Sequence, residues 1–184
     1  MALKENQRVA LTRRLLQEGL LRLLSHRSLD DISVTALCKE SGINRATFYN
    51  HYTSPTSLLC EMERQLVADL EKTVKQPLTI DSIADQLEQH CIILQENAVL
   101  VSILVKYHID RDLEDIITNL TAYYAQNRLD VAHKSMDADT SHLVSMFLYS
   151  GSYSLIREWL VRKIDKSPRE IAELILSIIQ KEYL

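Results

Sequence analysis

Turn-forming residues are scarce in this chain, which has three glycines and three prolines among 184 residues. A strand-rich domain needs such a residue about every 8 to 12 positions. Here the stretches between Gly, Pro and Asn repeatedly reach about twenty residues. Long uninterrupted segments favour helices, so the expected fold class is all-α.

The start of the chain has the apolar spacing of an amphipathic helix, predicted from about residue 7 to residue 26. The leucines that share its apolar face are Leu16, Leu20, Leu23 and Leu24. Gly19 lies inside this helix, where glycine costs about 1 kcal/mol relative to alanine. We expect another helix to cross closely at Gly19; the alternative is a tolerated imperfection.

Two short helices are predicted between Ile32 and Tyr52, separated by a turn that contains Gly42. Ser33 is a good N-cap residue for the first helix and Asn44 for the second. The second helix, predicted to run to Tyr52, is poor in aliphatic residues and rich in hydrogen-bonding side chains. A helix buried in a core would have a different composition, so this segment is not expected to be a pure core helix.

The segment SVTALCKESGINRATFYNHY, residues 33–52, resembles the helix-turn-helix of the TetR/AcrR family of transcriptional regulators. With the flanking helices the resemblance covers about residues 8–68. It implies an N-terminal three-helix DNA-binding domain over residues 1–75, with its motif at about 32–52. A fourth helix would join this domain to a C-terminal helical bundle over residues 76–184, the boundary lying near Gln76-Pro77-Leu78-Thr79.

The resemblance implies a sequence-specific regulator, most simply a repressor, that reads a pseudo-palindromic double-stranded DNA operator as a homodimer. Arg45 can form a forked contact with a guanine edge, whereas Tyr49 and His51 would mainly contact phosphates. The residues expected at the DNA are Ser33, Thr35, Asn44, Arg45, Ala46, Thr47, Tyr49 and His51. Ile43, Phe48 and Tyr52 are expected to pack in the domain core.

One departure from the family pattern lies at the start of the fourth helix, where a lysine is common and this chain has Thr53-Ser54-Pro55-Thr56. DNA binding would be weaker without this phosphate contact, unless Lys4, Arg8 or Arg13 replaces it. The departure motivates an alternative function, a TetR-like helical co-regulator that acts mainly through a partner protein and has weak DNA affinity of its own.

The formal net charge of −4 is unevenly distributed. Residues 1–60 carry eight basic and five acidic side chains, a net +3, which leaves −7 on residues 61–184. A basic N-terminal segment followed by an acidic remainder fits a DNA-contacting module fused to a regulatory domain, because only the N-terminal segment must approach phosphates.

Beyond residue 79 the pattern stays helical, with N-cap residues at Asn97, Asp137 and Ser167. The resemblance implies that the last two helices dimerise and that the bundle encloses a small amphiphilic or hydrophobic ligand, which releases the protein from DNA. The candidate interface residues are Leu143, Phe147, Gly151, Leu155, Ile171, Leu174, Ile175 and Ile178; the alternative is an intramolecular core. The candidate ligand residues, mostly aromatic rings with a polar tip, are Tyr107, His108, Tyr123, Tyr124, His142, Met146 and Tyr149.

Other classes of function find little support in the sequence. Three cysteines without a pairing pattern fit a reduced, cytoplasmic setting, and the histidines are too scattered to predict a metal site. The most apolar stretch, residues 92–105, is too short to span a membrane and is expected to be a buried helix. No cofactor, metal or membrane partner is expected, and a small helical enzyme is disfavoured because no catalytic constellation is present.

Overall fold

The computed structural model describes residues 2–74, 82–129 and 137–181. Every regular element in these ranges is helical, which confirms the all-α prediction. The α-helices are α1 (Ala2–Leu24), α2 (Val34–Ser41), α3 (Arg45–Tyr49), α4 (Pro55–Val74), α5 (Ser82–Glu96), α6 (Ala98–Lys106), α7 (Arg111–Leu129), α8 (Ala138–Val161) and α9 (Pro168–Lys181). One turn of 3₁₀ helix, Leu29–Asp31, precedes α2.

Contacts divide the chain into two compact units, Met1–Gln65 and Leu66–Leu184, here called the N-terminal and C-terminal units. The division falls within α4. The boundary predicted at residues 76–79 lies outside the described residues, as does the rest of the segment 75–81. In the described ranges, no helix combines the length and the hydropathy of a membrane-spanning segment.

The core of the N-terminal unit forms where α1 packs against α2 and α2 against α3. The predicted leucine face of α1 is buried, and the largest side chains without solvent exposure in this unit are Leu16, Leu20, Leu37, Phe48, Leu58 and Leu59. Each contributes about 1.5 to 3 kcal/mol by leaving water. Helix α1 extends five residues before its predicted start, from Ala2.

Gly19 lies where α1 and α2 cross, as its position inside an amphipathic helix predicted. A Cβ atom at Gly19 would lie 3.1 Å from the Cβ of Ser41 and 3.4 Å from the Ser41 backbone. The 3.1 Å contact is tighter than an ordinary van der Waals contact, and rotating a side chain cannot relieve it because a Cβ atom is fixed to the backbone. The glycine therefore lets α2 approach α1 and sets the position of the helix-turn-helix.

A bulky side chain at Gly19 should push α2 away from α1. We expect Gly19→Leu to lower the free energy of unfolding by about 2 kcal/mol, since overpacking in a close-packed site costs about 1 to 3 kcal/mol. Urea unfolding followed by circular dichroism measures this change. The control is Ala10→Leu on the exposed side of the same helix; equal stability of the two variants would contradict the close-crossing argument.

In the C-terminal unit α8 packs against α6 and α7, while α5 packs against α9. Helix α5 buries an apolar stripe, and its members are Ile83, Leu87, Cys91 and Leu94. The apolar stretch 92–105 is divided between α5 and α6 at Asn97, whose amide nitrogen Nδ2 donates to the Ile93 carbonyl over 2.8 Å. The stretch thus belongs to two helices, as an N-cap at Asn97 predicts, but Asn97 begins α6 without a side-chain capping hydrogen bond.

Arg169 joins the first turn of α9 to α5. Its guanidinium donates to Asp85 over 2.7 Å, to Glu88 over 3.0 Å and to Glu173 over 2.7 Å. The three carboxylates raise the pKa of Arg169 above its ordinary value, with the hydrogen bond to Glu173 as the largest contribution. The group is partly exposed, so it orients the two helices more than it stabilises them.

Candidate nucleic-acid interface

Local hydrogen bonds build the helix-turn-helix at the positions that the sequence predicts. Ser33 Oγ accepts from the Ala36 amide over 3.1 Å at the start of α2. Gly42 ends α2 with φ of 69°, the left-handed conformation that glycine adopts without strain. Asn44 Oδ1 then accepts from the Thr47 amide over 2.7 Å and starts α3. Both predicted N-caps are confirmed.

Helix α3 is shorter than predicted, since it ends at Tyr49 and not at Tyr52. The amides of His51 and Tyr52 both donate to the Phe48 carbonyl, over 2.9 Å each. This shared acceptor ends the regular ladder and turns the chain toward α4. His51 and Tyr52 therefore lie in the connecting turn.

The two sides of α3 differ sharply in burial. Phe48 has no solvent exposure and Tyr52 is buried, as predicted for core positions, while Ile43 is half-buried. On the other side Tyr49 is 51% exposed. The remaining candidates on the exposed side are Asn44, Arg45 and Ala46, with Thr47 and His51 half-buried.

Arg45 and Tyr49 form a pair on this exposed side. The guanidinium carbon of Arg45 lies 5.9 Å from the centroid of the Tyr49 ring, the spacing of a cation–π contact. Tyr49 in turn packs against the edge of Phe48, with ring centroids 5.5 Å apart. The buried Phe48 thus supports Tyr49, and Tyr49 supports the arginine.

The first helix of the motif contributes two further candidates. Ser33 and Thr35 are both exposed at the start of α2. The Ser33 oxygen already accepts the capping hydrogen bond, so its hydroxyl proton is the part that can reach another group.

The start of α4 is held by serine hydroxyls where the family commonly has a lysine. Ser54 Oγ accepts from the Ser57 amide over 3.0 Å, and Ser57 Oγ accepts from the Thr53 and Ser54 amides over 3.1 Å each. Pro55 occupies the first helical position, where the missing N–H of proline leaves no helical hydrogen bond unmade.

Arg13 of α1 is exposed and lies close enough to Tyr52 for its charge to act on that hydroxyl. Burial raises the pKa of Tyr52, and the positive charge of Arg13 opposes this rise. Of the other cations proposed to replace the lysine, Arg8 is exposed, and the side chain of Lys4 lies outside the described residues. Arg13 is thus a cation beside the end of the helix-turn-helix.

A second candidate surface is the outer face of α8 and α9, here called the α8–α9 face. Leu143 and Phe147 are each 68% exposed, and Leu174 and Ile178 are more than a third exposed. A groove of about 130 Å³ lies beside Phe147, lined by Phe147, Leu148, Gly151, Ser152, Leu155, Ile175 and Ile178. A Cβ atom added at Gly151 would contact nothing within 4 Å.

The candidate interface residues on α9 are therefore of two kinds. Ile171 and Ile175 are each only 2% exposed, although Ile175 also lines the groove. They belong to the core of the C-terminal unit, as the intramolecular alternative holds. Leu148 and Ser152 also line the groove, although the sequence analysis did not predict them as interface residues. The sequence signal for a groove at this place is the pair of adjacent small residues, Gly151 and Ser152.

The candidate ligand residues lie in different surroundings. Tyr107, at the end of α6, and Tyr149, on α8, are half-buried. His108, His142 and Met146 are exposed, and Met146 is 51% exposed one residue before Phe147. The side chains of Tyr123 and Tyr124 lie outside the described residues.

Comparison with known structures shows the same fold at low sequence identity. A protein described as a TetR-family transcriptional regulator from Syntrophomonas wolfei has a TM-score of 0.67 at 14% identity, over 94% of each chain. The dihydroxyacetone kinase operon activator DhaS has 0.61 at 16%, over 94% of this chain and 96% of that one. Thermus thermophilus FadR, a TetR-family repressor in complex with lauroyl-CoA, has 0.56 at 13%, over 94% and 95%.

Comparison with curated protein sequences finds no match. Residues 81–181 match the family model TetR_C_8, described as a transcriptional regulator C-terminal region. This match covers more than half of the chain, and the helix-turn-helix precedes it. The chain belongs to the TetR family of transcriptional regulators.

Proposed function

We propose that this protein binds a pseudo-palindromic DNA operator as a homodimer, represses transcription there, and is released by a small ligand. The observation that carries the proposal is the division of α3, with Phe48 fully buried and Arg45 and Tyr49 exposed on the opposite side. A polar, aromatic-supported face on a capped helix suits the major groove.

The contacts with DNA follow from the position of each side chain. Arg45, supported by Tyr49, reads a guanine edge, and Ala46 is small enough to let the helix lie close to the bases. Thr47, Tyr49 and His51 bind phosphates, as do Ser33 and Thr35 at the start of α2, and Asn44 orders the helix start. Phosphate contacts set the register, so sequence choice depends chiefly on Arg45.

Dimerisation would use the α8–α9 face. Its exposed Leu143, Phe147, Leu174 and Ile178 form an apolar surface of the kind that marks protein interfaces. A two-fold axis would bring this surface against its own copy. The two recognition helices would then lie about 34 to 36 Å apart, one turn of DNA.

Ligand control is the third part of the proposal. FadR, which shares the fold, is bound to lauroyl-CoA, an amphiphile. The half-buried Tyr107 and Tyr149, with a polar tip on an apolar ring, suit a ligand of that general kind. Such a ligand would stabilise a spacing of the recognition helices that the operator does not accept.

Loss of Arg45 should weaken operator binding. We expect Arg45→Ala to reduce affinity for the DNA upstream of its own gene by about tenfold or more, since a forked guanine contact contributes about 1 to 3 kcal/mol. Band-shift titration measures this. The control is Arg162→Ala, which removes the same charge from the end of α8, where Arg162 pairs with Glu158. Unchanged affinity of the Arg45 variant would refute the assigned contact.

The same band-shift titration distinguishes direct DNA binding from the alternative function. A helical co-regulator that acts through a partner protein would show negligible salt-dependent binding to duplex DNA in the unaltered protein. It would instead form a stable complex with a second protein, which a pull-down experiment detects. The exposed position of Arg45 favours DNA binding.

Arg13 should supply part of the phosphate contact that a lysine commonly makes in the family and that this chain lacks. We expect Arg13→Gln to make the slope of log affinity against log salt shallower by about one unit. The matched control is Arg14→Gln, because the neighbouring Arg14 already donates to Glu18 over 2.8 Å. Band-shift titrations at several salt concentrations give both slopes, and equal slopes for the two variants would contradict the role of Arg13.

A further inference from the structure

A cleft of about 240 Å³ opens on the C-terminal unit where α8 turns into α9. Gln95 and Ala98 form one side, at the junction of α5 and α6, and residues from Trp159 to Lys166 form the other. None of the candidate DNA, interface or ligand residues lines it. The cleft is therefore a separate feature of the molecule.

The wall of the cleft is held in place by its own hydrogen bonds. The indole Nε1 of Trp159 donates to the Lys166 carbonyl over 3.0 Å, and the Ile164 amide donates to the Trp159 carbonyl over 3.0 Å. Ser167 and Glu170 cap α9 reciprocally, over 2.8 and 3.2 Å. A wall fixed in this way loses little entropy when a ligand binds.

The lining combines an apolar floor with a charged rim. Trp159 and Leu160 are buried beneath the cleft, and Ile164 adds an apolar side. Lys163, Asp165 and Lys166 lie around it, and Lys166 is paired with Glu170.

Lys163 is the cation most available to a ligand. Lys166 already lies 3.3 Å from a carboxylate oxygen of Glu170, whereas Lys163 forms no ion pair with any of the described residues. Its backbone has φ of 52°, the left-handed conformation in which glycine is usual. A lysine in this strained position places a charged side chain at the rim of the cleft.

We propose that this cleft binds a small amphipathic monoanion, a carboxylate whose apolar body lies on Trp159 and Ile164 and whose charge lies beside Lys163. The one lining cation that forms no ion pair with the described residues, Lys163, matches a single negative charge and not the nearly two of a phosphate monoester. The volume is below the range of about 300 to 1,000 Å³ typical of drug-sized ligands, so the occupant is small. This inference does not rest on DNA binding.

The test uses the full chain and three probes that share one apolar body, namely phenylbutyrate, phenylbutanol and phenylbutylamine. Trp159 is the only tryptophan of the chain, so its fluorescence reports on the cleft. We expect saturable binding of phenylbutyrate about tenfold tighter than that of phenylbutanol, as a hydrogen bond to a charged group allows, and none of phenylbutylamine. Equilibrium dialysis measures binding independently of the fluorescence.

Lys163→Gln should weaken phenylbutyrate binding about tenfold and leave phenylbutanol binding unchanged. The matched control, Lys106→Gln, removes an equal charge from the end of α6, outside the cleft lining. Far-UV circular dichroism verifies that both variants fold. Equal affinity for phenylbutyrate and phenylbutanol, no loss on Lys163→Gln, or no saturable binding in dialysis would each overturn the proposal.

Discussion

Gly151→Trp should convert a dimer into a folded monomer. The apolar groove beside Gly151 has about 130 Å³ of open volume, and Phe147 stands 68% exposed next to it. In a two-fold interface the same surface meets itself, so a side chain from the partner subunit would enter this groove. An indole ring at position 151 would occupy the groove and leave no room for the side chain of the partner subunit.

The fold itself should tolerate the change, because a Cβ atom at Gly151 contacts nothing within 4 Å in the subunit. Sedimentation velocity measures the mass, and circular dichroism verifies the helix content. Gly151→Ala is the matched control; it adds one methyl group, gains helix propensity and should remain dimeric. A dimeric Gly151→Trp protein, or a monomeric unaltered protein, would show that this face is not the interface.

Acidification should destabilise the C-terminal unit through His90, which is 2% exposed. Its ring Nε2 is hydrogen-bonded to Thr73 Oγ1, on the part of α4 that belongs to this unit. Burial lowers the pKa of His90 to about 4, from an ordinary value near 6.5, and a hydrogen bond with the Leu70 backbone partly opposes the shift. The imidazole is therefore neutral in the folded protein at pH 7.

The direction of the effect follows from which state binds the proton. Below about pH 6.5 the unfolded chain takes up a proton at His90 while the folded protein does not, so stability falls as the pH falls from about 6.5 to about 4. The full difference corresponds to about 3 kcal/mol. Neighbouring Cys91 stays a neutral thiol throughout, since burial raises its pKa to about 12.

Urea unfolding at pH 7 and at pH 4.5 measures this loss of stability. In His90→Gln the residue no longer titrates, so the difference between the two pH values should shrink by most of the His90 contribution, whatever the stability of the variant at pH 7. His26→Gln, at an exposed position, is the control and should keep the pH dependence of the unaltered protein. An unchanged pH dependence in His90→Gln would exclude His90 as the cause.

Much of the DNA-binding unit could be predicted because its signals are local. Ser33, Gly42 and Asn44 act on residues within one turn, so each cap could be assigned without knowing what packs nearby. Gly19 was also informative, because a glycine inside an amphipathic helix is best explained by a crossing helix, although its partner Ser41 was not predicted. The end of α3 was wrong by three residues, since the turn at Phe48 depends on where α4 begins.

The sequence by itself determined the helices, the caps at Ser33 and Asn44 and the polar face of α3, because these depend on hydrogen bonds and side-chain spacing within a few residues. Only the tertiary structure decided which apolar side chains of α9 face inward. Ile171 and Ile175 share a helical stripe with Leu174 and Ile178, and packing within the C-terminal unit buries the first pair while leaving the second more exposed. The same holds for His90 and the cleft at Trp159, whose properties arise from burial by residues distant in sequence.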